Sequence, residues 1–268
     1  MSTSPAPHLA ARWLRPVLAT ALLGLWPTVS AAAVERASTR PADPERPVQL
    51  SAELDYASIV VEAYDGTEVL AEAEQTRPVA DDPRPDGLRR VRRLNLSLHA
   101  SGNRVVLLVP DADTGVEVRL RVPRRTDLDL TTSNGGNLVV RGVEGELALV
   151  TSNAAITLEG VAGTVLASTS NGAIRGTVAR VAPGRPMSFV TSNGDVDLTL
   201  PADLAADLYV ETDDQFLSGF DLAPLADPPR RSAPPNSRFV YAAVGGGGPQ
   251  IRIRTDNGRV VLRSAAAR

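Results

Sequence analysis

A four-residue phrase, Thr-Ser-Asn-Gly, recurs through the second half of this 268-residue chain and constrains its fold more than any other feature. It appears as Thr132-Ser133-Asn134-Gly135, Thr151-Ser152-Asn153-Ala154, Thr169-Ser170-Asn171-Gly172 and Thr191-Ser192-Asn193-Gly194, and returns as Thr255-Asp256-Asn257-Gly258. A weaker copy, Glu211-Thr212-Asp213-Asp214, stands where the next phrase falls due. From Ser133 through Ser152, Ser170 and Ser192 to Asp213 the steps are 19, 18, 22 and 21 residues. The longest of these holds Pro183 and Pro186, and the final step of 43 residues to Asp256 spans a Pro/Gly-rich insertion. The flanks repeat as well: Leu128-x-Leu130 and Leu147-x-Leu149 precede turns, and Gly142-Val143-Glu144-Gly145 and Gly160-Val161-Ala162-Gly163 follow the next strands. A unit of about twenty residues with two short strands cannot bury its own apolar face, so neighbouring units must stack.

The turn itself has two readings. Asn and Gly take positive φ most readily, which suits a sharp reversal, and Asn-Gly between alternating runs is also a strong hairpin signal. The fold expected is therefore all-β, a β-solenoid-like stack of two-strand repeats preceded by antiparallel strand pairs. An antiparallel β-meander or sandwich is the alternative. In a stack, equivalent side chains sit about 4.8 Å apart, close enough for Asn amides to bond from one unit to the next. Asn134, Gly135, Asn153, Asn171, Gly172, Asn193, Gly194, Asn257 and Gly258 are accordingly expected to be structural turn and ladder residues.

Period-two alternation dominates everything after residue 47: Val48, Leu50 and Ala52; Ile59 and Val61; Val69, Ala71 and Ala73; Leu94, Leu96 and Leu98; Val105, Leu107 and Val109; Val116, Val118, Leu120 and Val122. Each run is short and bounded by Gly, Pro, Asp or Asn, the pattern of half-buried strands. The organisation expected is a signal peptide over 1–33, a flexible leader over 34–47, an N-terminal strand region over 48–125 and the repeat region over 126–264. Residues 76–90 read as an exposed loop, and 221–249, with Pro228-Pro229, Pro234-Pro235 and Gly245 to Gly248, as an irregular insertion.

Arg12 and Arg15, the apolar run from Val17 to Trp26 and the small residues Ser30 to Ala33 form the three parts of a secretory signal. The apolar run is half the roughly twenty residues that a spanning helix needs, so cleavage near Ala31 or Ala33 is expected rather than a retained anchor. The mature chain is expected in the periplasm, outside the cell or at its surface, with no transmembrane segment. There are no cysteines, so nothing in an oxidising compartment would cross-link it. Removing two Arg and no acid leaves 26 basic and 31 acidic residues, a net charge of −5, which gives no support for a nucleic-acid partner.

Candidates for chemistry are few. The mature chain retains one His, His99 at a strand end, and no Cys, which removes Cys–His pairs and multi-His metal sites. No Gly-x-Ser-x-Gly elbow surrounds a Ser. Asp195 and Asp197 are two apart after the fourth turn and could act as paired carboxylates on a polysaccharide, yet Val196, Leu198 and Leu200 already account for an outward acidic face. Calcium at the Asn/Asp turns would draw on Asp195, Asp197, Asp213 and Asp214, but the Gly-rich nonapeptide of calcium-binding β-rolls is missing. Arg89, Arg90, Arg92 and Arg93, and Arg230-Arg231, read as solvated runs with a further reading as contacts for an anionic polymer or headgroup. The expectation is no enzyme activity, no cofactor and no metal, and a partner that is an envelope component, a protein or a peptide.

The ordered set of motifs resembles the DUF4097 family of bacterial β-strand-repeat proteins, also called "putative adhesins". The resemblance rests on the repeated turns, on the strands from Ile59 to Glu62 and Val69 to Glu74, on VEVRLRVPRRTDLDLTTSN from Val116 to Asn134, and on Gly245 to Gly248 followed by Ile251 to Gly258. It covers roughly residues 48–264, with Ala154 in place of Gly and Tyr56-Ala57-Ser58 at a turn where Gly is common. It implies a solenoid-like, non-enzymatic envelope protein connected with adhesion, or with sensing of envelope stress or antimicrobial peptides, and it supplies no catalytic residue.

Overall fold

A computed structural model describes residues 34–76, 93–110, 115–134, 136–225 and 238–266. The expected signal peptide, most of the 76–90 loop, Arg89, Arg90 and Arg92, and Arg230-Arg231 lie outside the described residues. Everything described is strand or connecting turn, so the fold is all-β, and among the described residues no helix is long and apolar enough to cross a membrane.

In chain order the strands are β1 (Val34–Thr39), β2 (Val48–Asp55), β3 (Ala57–Tyr64), β4 (Val69–Gln75), β5 (Ser97–Ser101), β6 (Arg104–Leu108) and β7 (Val116–Pro123). The repeat region adds β8 (Thr126–Ser133), β9 (Leu138–Arg141), β10 (Glu144–Thr151), β11 (Ile156–Thr169), β12 (Ile174–Val181), β13 (Met187–Asn193) and β14 (Val196–Leu200). It closes with β15 (Ala206–Thr212), β16 (Phe216–Ser218), β17 (Ala223–Pro224), β18 (Arg238–Val244), β19 (Gln250–Asn257) and β20 (Val260–Ser264).

The twenty strands belong to one sheet, nearly closed and barrel-like, in which two rows of strands are joined through β11. One row runs β5–β6–β2–β8–β10–β11–β13–β19–β15–β18–β17. The other runs β1–β4–β7–β3–β9–β11–β12–β14–β20–β16. Pairing is parallel in the middle of both rows and antiparallel at both ends of the first row and at the β1 end of the second, whose other end, β16 on β20, is parallel. The strands that flank the first Asn turn do not pair with each other: β8 pairs β2 and β10, while β9 pairs β3 and β11. Parallel neighbours need a long connection, and here the strand of the opposite row supplies it.

The order across each row departs from chain order at both ends. β2 lies between β6 and β8, and β19 lies between β13 and β15. β3 and β20 do the same in the other row, between β7 and β9 and between β14 and β16. β3 and β4, which read as an opening strand pair, both pair with β7 rather than with each other.

Two expectations about irregular segments are corrected. Residues 34–47, expected as a flexible leader, begin with β1, which pairs along its whole length with β4 from Val69 to Glu74. The Glu35 carboxylate also accepts the Leu94 and Leu96 amides at 2.7 and 2.9 Å. The 221–249 insertion contains β18, whose seven residues pair antiparallel with the whole of β15. In both places the backbone of an exposed sheet edge offers hydrogen bonds that composition does not advertise.

Alternation places one side chain in two inside. The core is a single cluster running from Val48 to Leu262, with Phe189 its largest fully buried side chain. With no disulfide, stability depends on such burial, about 1.5–3 kcal/mol for each fully buried Val, Leu, Ile or Phe.

Candidate functional site

The repeated turns meet along one edge of the first row. Their threonines are in register, Thr132 beside Thr151, then Thr169, Thr191, Thr255 and Thr212, and all six are buried. Most donate their hydroxyl to a carbonyl of a neighbouring turn: Thr132 to Ala57 at 2.8 Å, Thr169 to Ala154 at 2.9 Å, Thr191 to Gly172 at 2.8 Å and Thr255 to Gly194 at 2.8 Å. Thr212 donates to Gly258 at 2.6 Å.

Outside this column stand the asparagines. Asn171 Nδ2 donates to Asn153 Oδ1 at 2.8 Å, Asn193 to Asn171 at 2.7 Å and Asn257 to Asn193 at 2.9 Å. Four turns thus share one chain of amide hydrogen bonds. Asn257 follows Asn193 directly because β19 pairs with β13, so the weaker copy at Asp213 and Asp214 lies beyond it.

The first turn is different. From Thr132 to the first inward strand residue, Leu138, is six positions, whereas Thr151 to Ile156 and Thr169 to Ile174 are five. Gly135 lies outside the described residues. The extra residue accompanies a left-handed Asn134, at φ 56°, whose amide donates to Ser133 Oγ at 3.3 Å instead of joining the chain. The Thr151 hydroxyl, whose turn is next to this one, is buried and finds no hydrogen-bond partner among the described residues.

The role of glycine also needs correcting. Neither the asparagines of the amide chain nor Gly172, Gly194 and Gly258 have positive φ. What demands glycine is close approach: a Cβ on Gly172 would overlap the carbonyl oxygen of Ala154, and one on Gly194 that of Gly172. By this contact the counterpart of Gly172 in the first turn is Gly136, packed on Ala57, rather than Gly135.

The candidate catalytic groups are engaged elsewhere. Asp195 accepts the Arg259 amide at 3.1 Å and faces its guanidinium at 3.3 Å, and Asp197 is bound by Arg263. His99 is exposed on β5, with the Ser97 hydroxyl at 3.3 Å. Outward charges pair across strands in the same way: Arg141 bridges Glu62 at 2.8 Å and Glu159 at 2.9 Å. The Arg36 guanidinium, bonded to Glu72, holds that carboxyl below its ordinary range, and Arg124 does the same to Asp65. No group of three or more His, Cys, Asp or Glu arranged to hold a metal occurs among the described residues.

Two surface regions carry no motif in the sequence. A groove of about 430 Å³ crosses β6, β2, β8, β10 and β11 and includes Arg104, Asp127, Asp129 and Glu146. Burial there pushes the Asp127 carboxyl up, although its Oδ1 accepts the Glu146 amide at 2.9 Å. The second is an aromatic face on β15 and β18. There Tyr209 and Tyr241 are direct cross-strand neighbours, thirty-two positions apart in sequence.

No family model matches the chain, and neither does any curated protein. Among solved structures it is similar to a "putative cell adhesion protein" from Clostridium sporogenes, at 9% identity, with 87% of this chain and 100% of that one covered and a TM-score of 0.42. It is also similar to a "putative adhesin" from Bacteroides fragilis, at 10% identity, with 87% and 97% covered and a TM-score of 0.27.

Proposed function

We propose that the chain is an exported, non-catalytic cell-envelope protein of adhesin-like character, a binding and scaffolding module whose repeats over 126–264 form a β-solenoid-like stack. The signal-like residues 1–33 would direct it to the periplasm or cell surface, and the motif order aligns it with the DUF4097 proteins. In this reading Asn153, Asn171, Asn193 and Asn257 are structural, as are Gly172, Gly194 and Gly258, and Asn134 and Gly136 belong to the first turn. Recognition belongs to the outward strand faces.

The observation that carries this reading is the register of the outward side chains. Asp129, Ala148, Leu166, Ser188, Arg252 and Tyr209 follow one another strand by strand along one level of the first row. Rigid parallel strands about 4.8 Å apart thereby present an extended face, suited to holding a long or repetitive partner. Meanwhile the acids nominated for catalysis are bound by Arg259 and Arg263.

A second reading, capture of cationic peptides, draws on the groove with Asp127, Asp129 and Glu146, although Glu146 is also bound by Arg185. The test is a co-sedimentation assay of the purified chain with an insoluble envelope fraction, alongside titration with a cationic amphipathic peptide. Saturable retention by the fraction supports the module. Peptide binding abolished by Asp127→Asn/Asp129→Asn, without retention by the fraction, favours the sensor. Turnover of an envelope polysaccharide that disappears in Asp195→Ala/Asp197→Ala overturns the non-catalytic reading.

A further inference from the structure

The outward side of β18, β15 and β19 differs chemically from the rest of the sheet. Tyr209 is paired with Tyr241 across the antiparallel β15–β18 ladder and with Arg252 across the parallel β15–β19 ladder. The two tyrosine rings meet edge-on with centroids 5.4 Å apart, and Phe239 stacks on Tyr241 at 6.2 Å. All three rings are half-buried, and with Glu211, Gln250 and Arg252 they line a shallow depression of about 60 Å³. The sequence has only four Tyr and four Phe, so three of its eight such rings stand in one place.

Cross-strand aromatic pairs stabilise sheets by themselves, and that accounts for the ring contacts. It does not account for the polar rim. Several outward arginines are held by carboxylates, as Arg141, Arg259 and Arg263 are, while Arg121 lies over the Tyr64 ring. Arg252 has no ion pair or side-chain hydrogen bond among the described residues, and neither do the hydroxyls of Tyr209 and Tyr241. Glu211 lies 3.8 Å from Arg254, whose closer partner is Asp256 at 3.0 Å.

We propose that this face binds a neutral saccharide. The Tyr209–Tyr241 plate would receive the apolar C–H face of a pyranose ring, and Arg252, Gln250 and Glu211 would bond its hydroxyls. The chemistry selects that class. Aromatic rings pack apolar surface while their polar ends need partners, and a sugar is apolar on its ring face and both donor and acceptor at its edge. An anionic ligand would meet Glu211, and a cationic one would meet Arg252. A depression this shallow on an open face suits successive units of a chain better than an enclosed small molecule. The proposal rests on the binding-module reading and gives it a ligand class.

The test is calorimetric titration of the purified chain with neutral hexasaccharides of glucose, mannose and N-acetylglucosamine. Saturable binding to at least one is expected, weakened about tenfold or more by Tyr241→Ala and by Arg252→Ala. Tyr241→Phe, which keeps the ring, should retain most of the affinity, and Leu217→Ala on β16 should leave it unchanged. Absence of saturable binding to all three glycans overturns the proposal. So does equal affinity in Tyr241→Ala and Arg252→Ala, or loss in these variants of binding to phosphatidylglycerol vesicles with no glycan binding. Retention by the envelope fraction separates the two readings. If wild type and both variants are retained equally, the saccharide face is wrong and the module stands; if wild type binds neither glycan nor fraction, both fall.

Discussion

The first Asn turn and the turns that follow it are written in nearly the same residues and are built differently. In the later turns Asn153, Asn171, Asn193 and Asn257 bond amide to amide, and buried threonines reach the carbonyl of the turn beside them. In the first, one more residue separates Thr132 from the inward strand and Asn134 turns left-handed, while Thr151 of the adjoining second turn keeps a buried hydroxyl with no partner among the described residues. A repeat is therefore held by its spacing as much as by its letters. The hydrogen bonds run between turns, so each turn's length has to match its neighbour's.

Substitutions can break this contrast or sharpen it, and the largest effect is expected at Gly172. Gly172→Val would drive a side chain into the backbone of Ala154, which cannot move without displacing the strand below. A loss of about 3 kcal/mol in urea-unfolding free energy is expected, and a loss under a third of that would mean the turns are not tightly stacked. Next, Asn171→Ala removes two amide–amide bonds from the middle of the chain and should cost about 1–2 kcal/mol. Asn134→Gly, at a left-handed position outside that chain, should cost nothing or stabilise by a few tenths of a kcal/mol. Equal losses at the two sites would remove the distinction between the turns.

Deleting Gly135 makes the first turn as long as the others. If spacing is what excludes Asn134, the shortened chain should gain about 1 kcal/mol by offering Thr151 a carbonyl and Asn153 an amide neighbour. A deletion that destabilises the chain would show that the longer turn is itself required. The smallest effect is expected at Asp127, away from the turns. Burial raises its carboxyl pKa in the folded chain. The penalty is absent below the unfolded pKa, where both states are protonated, and it develops as pH rises through the folded value. Asp127→Asn, which keeps an oxygen for the Glu146 amide, should be slightly more stable than wild type near neutrality. That advantage should vanish on acidification through the carboxylate range, as read by thermal unfolding across pH.

Much of the architecture is legible in the sequence, because a strand's side-chain period is local. Val116, Val118, Leu120 and Val122 alternate in the chain and are all buried. The turns are equally visible, but their chemistry is not: positive φ accounts for Asn134, while Gly172 and Gly194 are glycines because another backbone lies against them. Close approach of this kind leaves no mark in a single sequence beyond the glycine itself. The ordered start of the 34–47 segment is hidden for a related reason. Val34 to Thr39 carries no apolar alternation, since as an edge strand it exposes half of every residue pair and is held by backbone bonds to β4.

By itself, then, the sequence determined that this chain is all-β, where its alternating strands and repeated turns fall, and which face of those strands is apolar, since all three follow from period-two alternation and turn chemistry. Only the tertiary structure decided which strand lies beside which. Parallel ladders are made by backbone groups common to every residue, so nothing in the local pattern says that β19 enters between β13 and β15, or β2 between β6 and β8. That long-range order gathers Tyr209, Tyr241 and Arg252 onto one face from three separate strands. It also places Asn257 on Asn193 across 64 residues of chain.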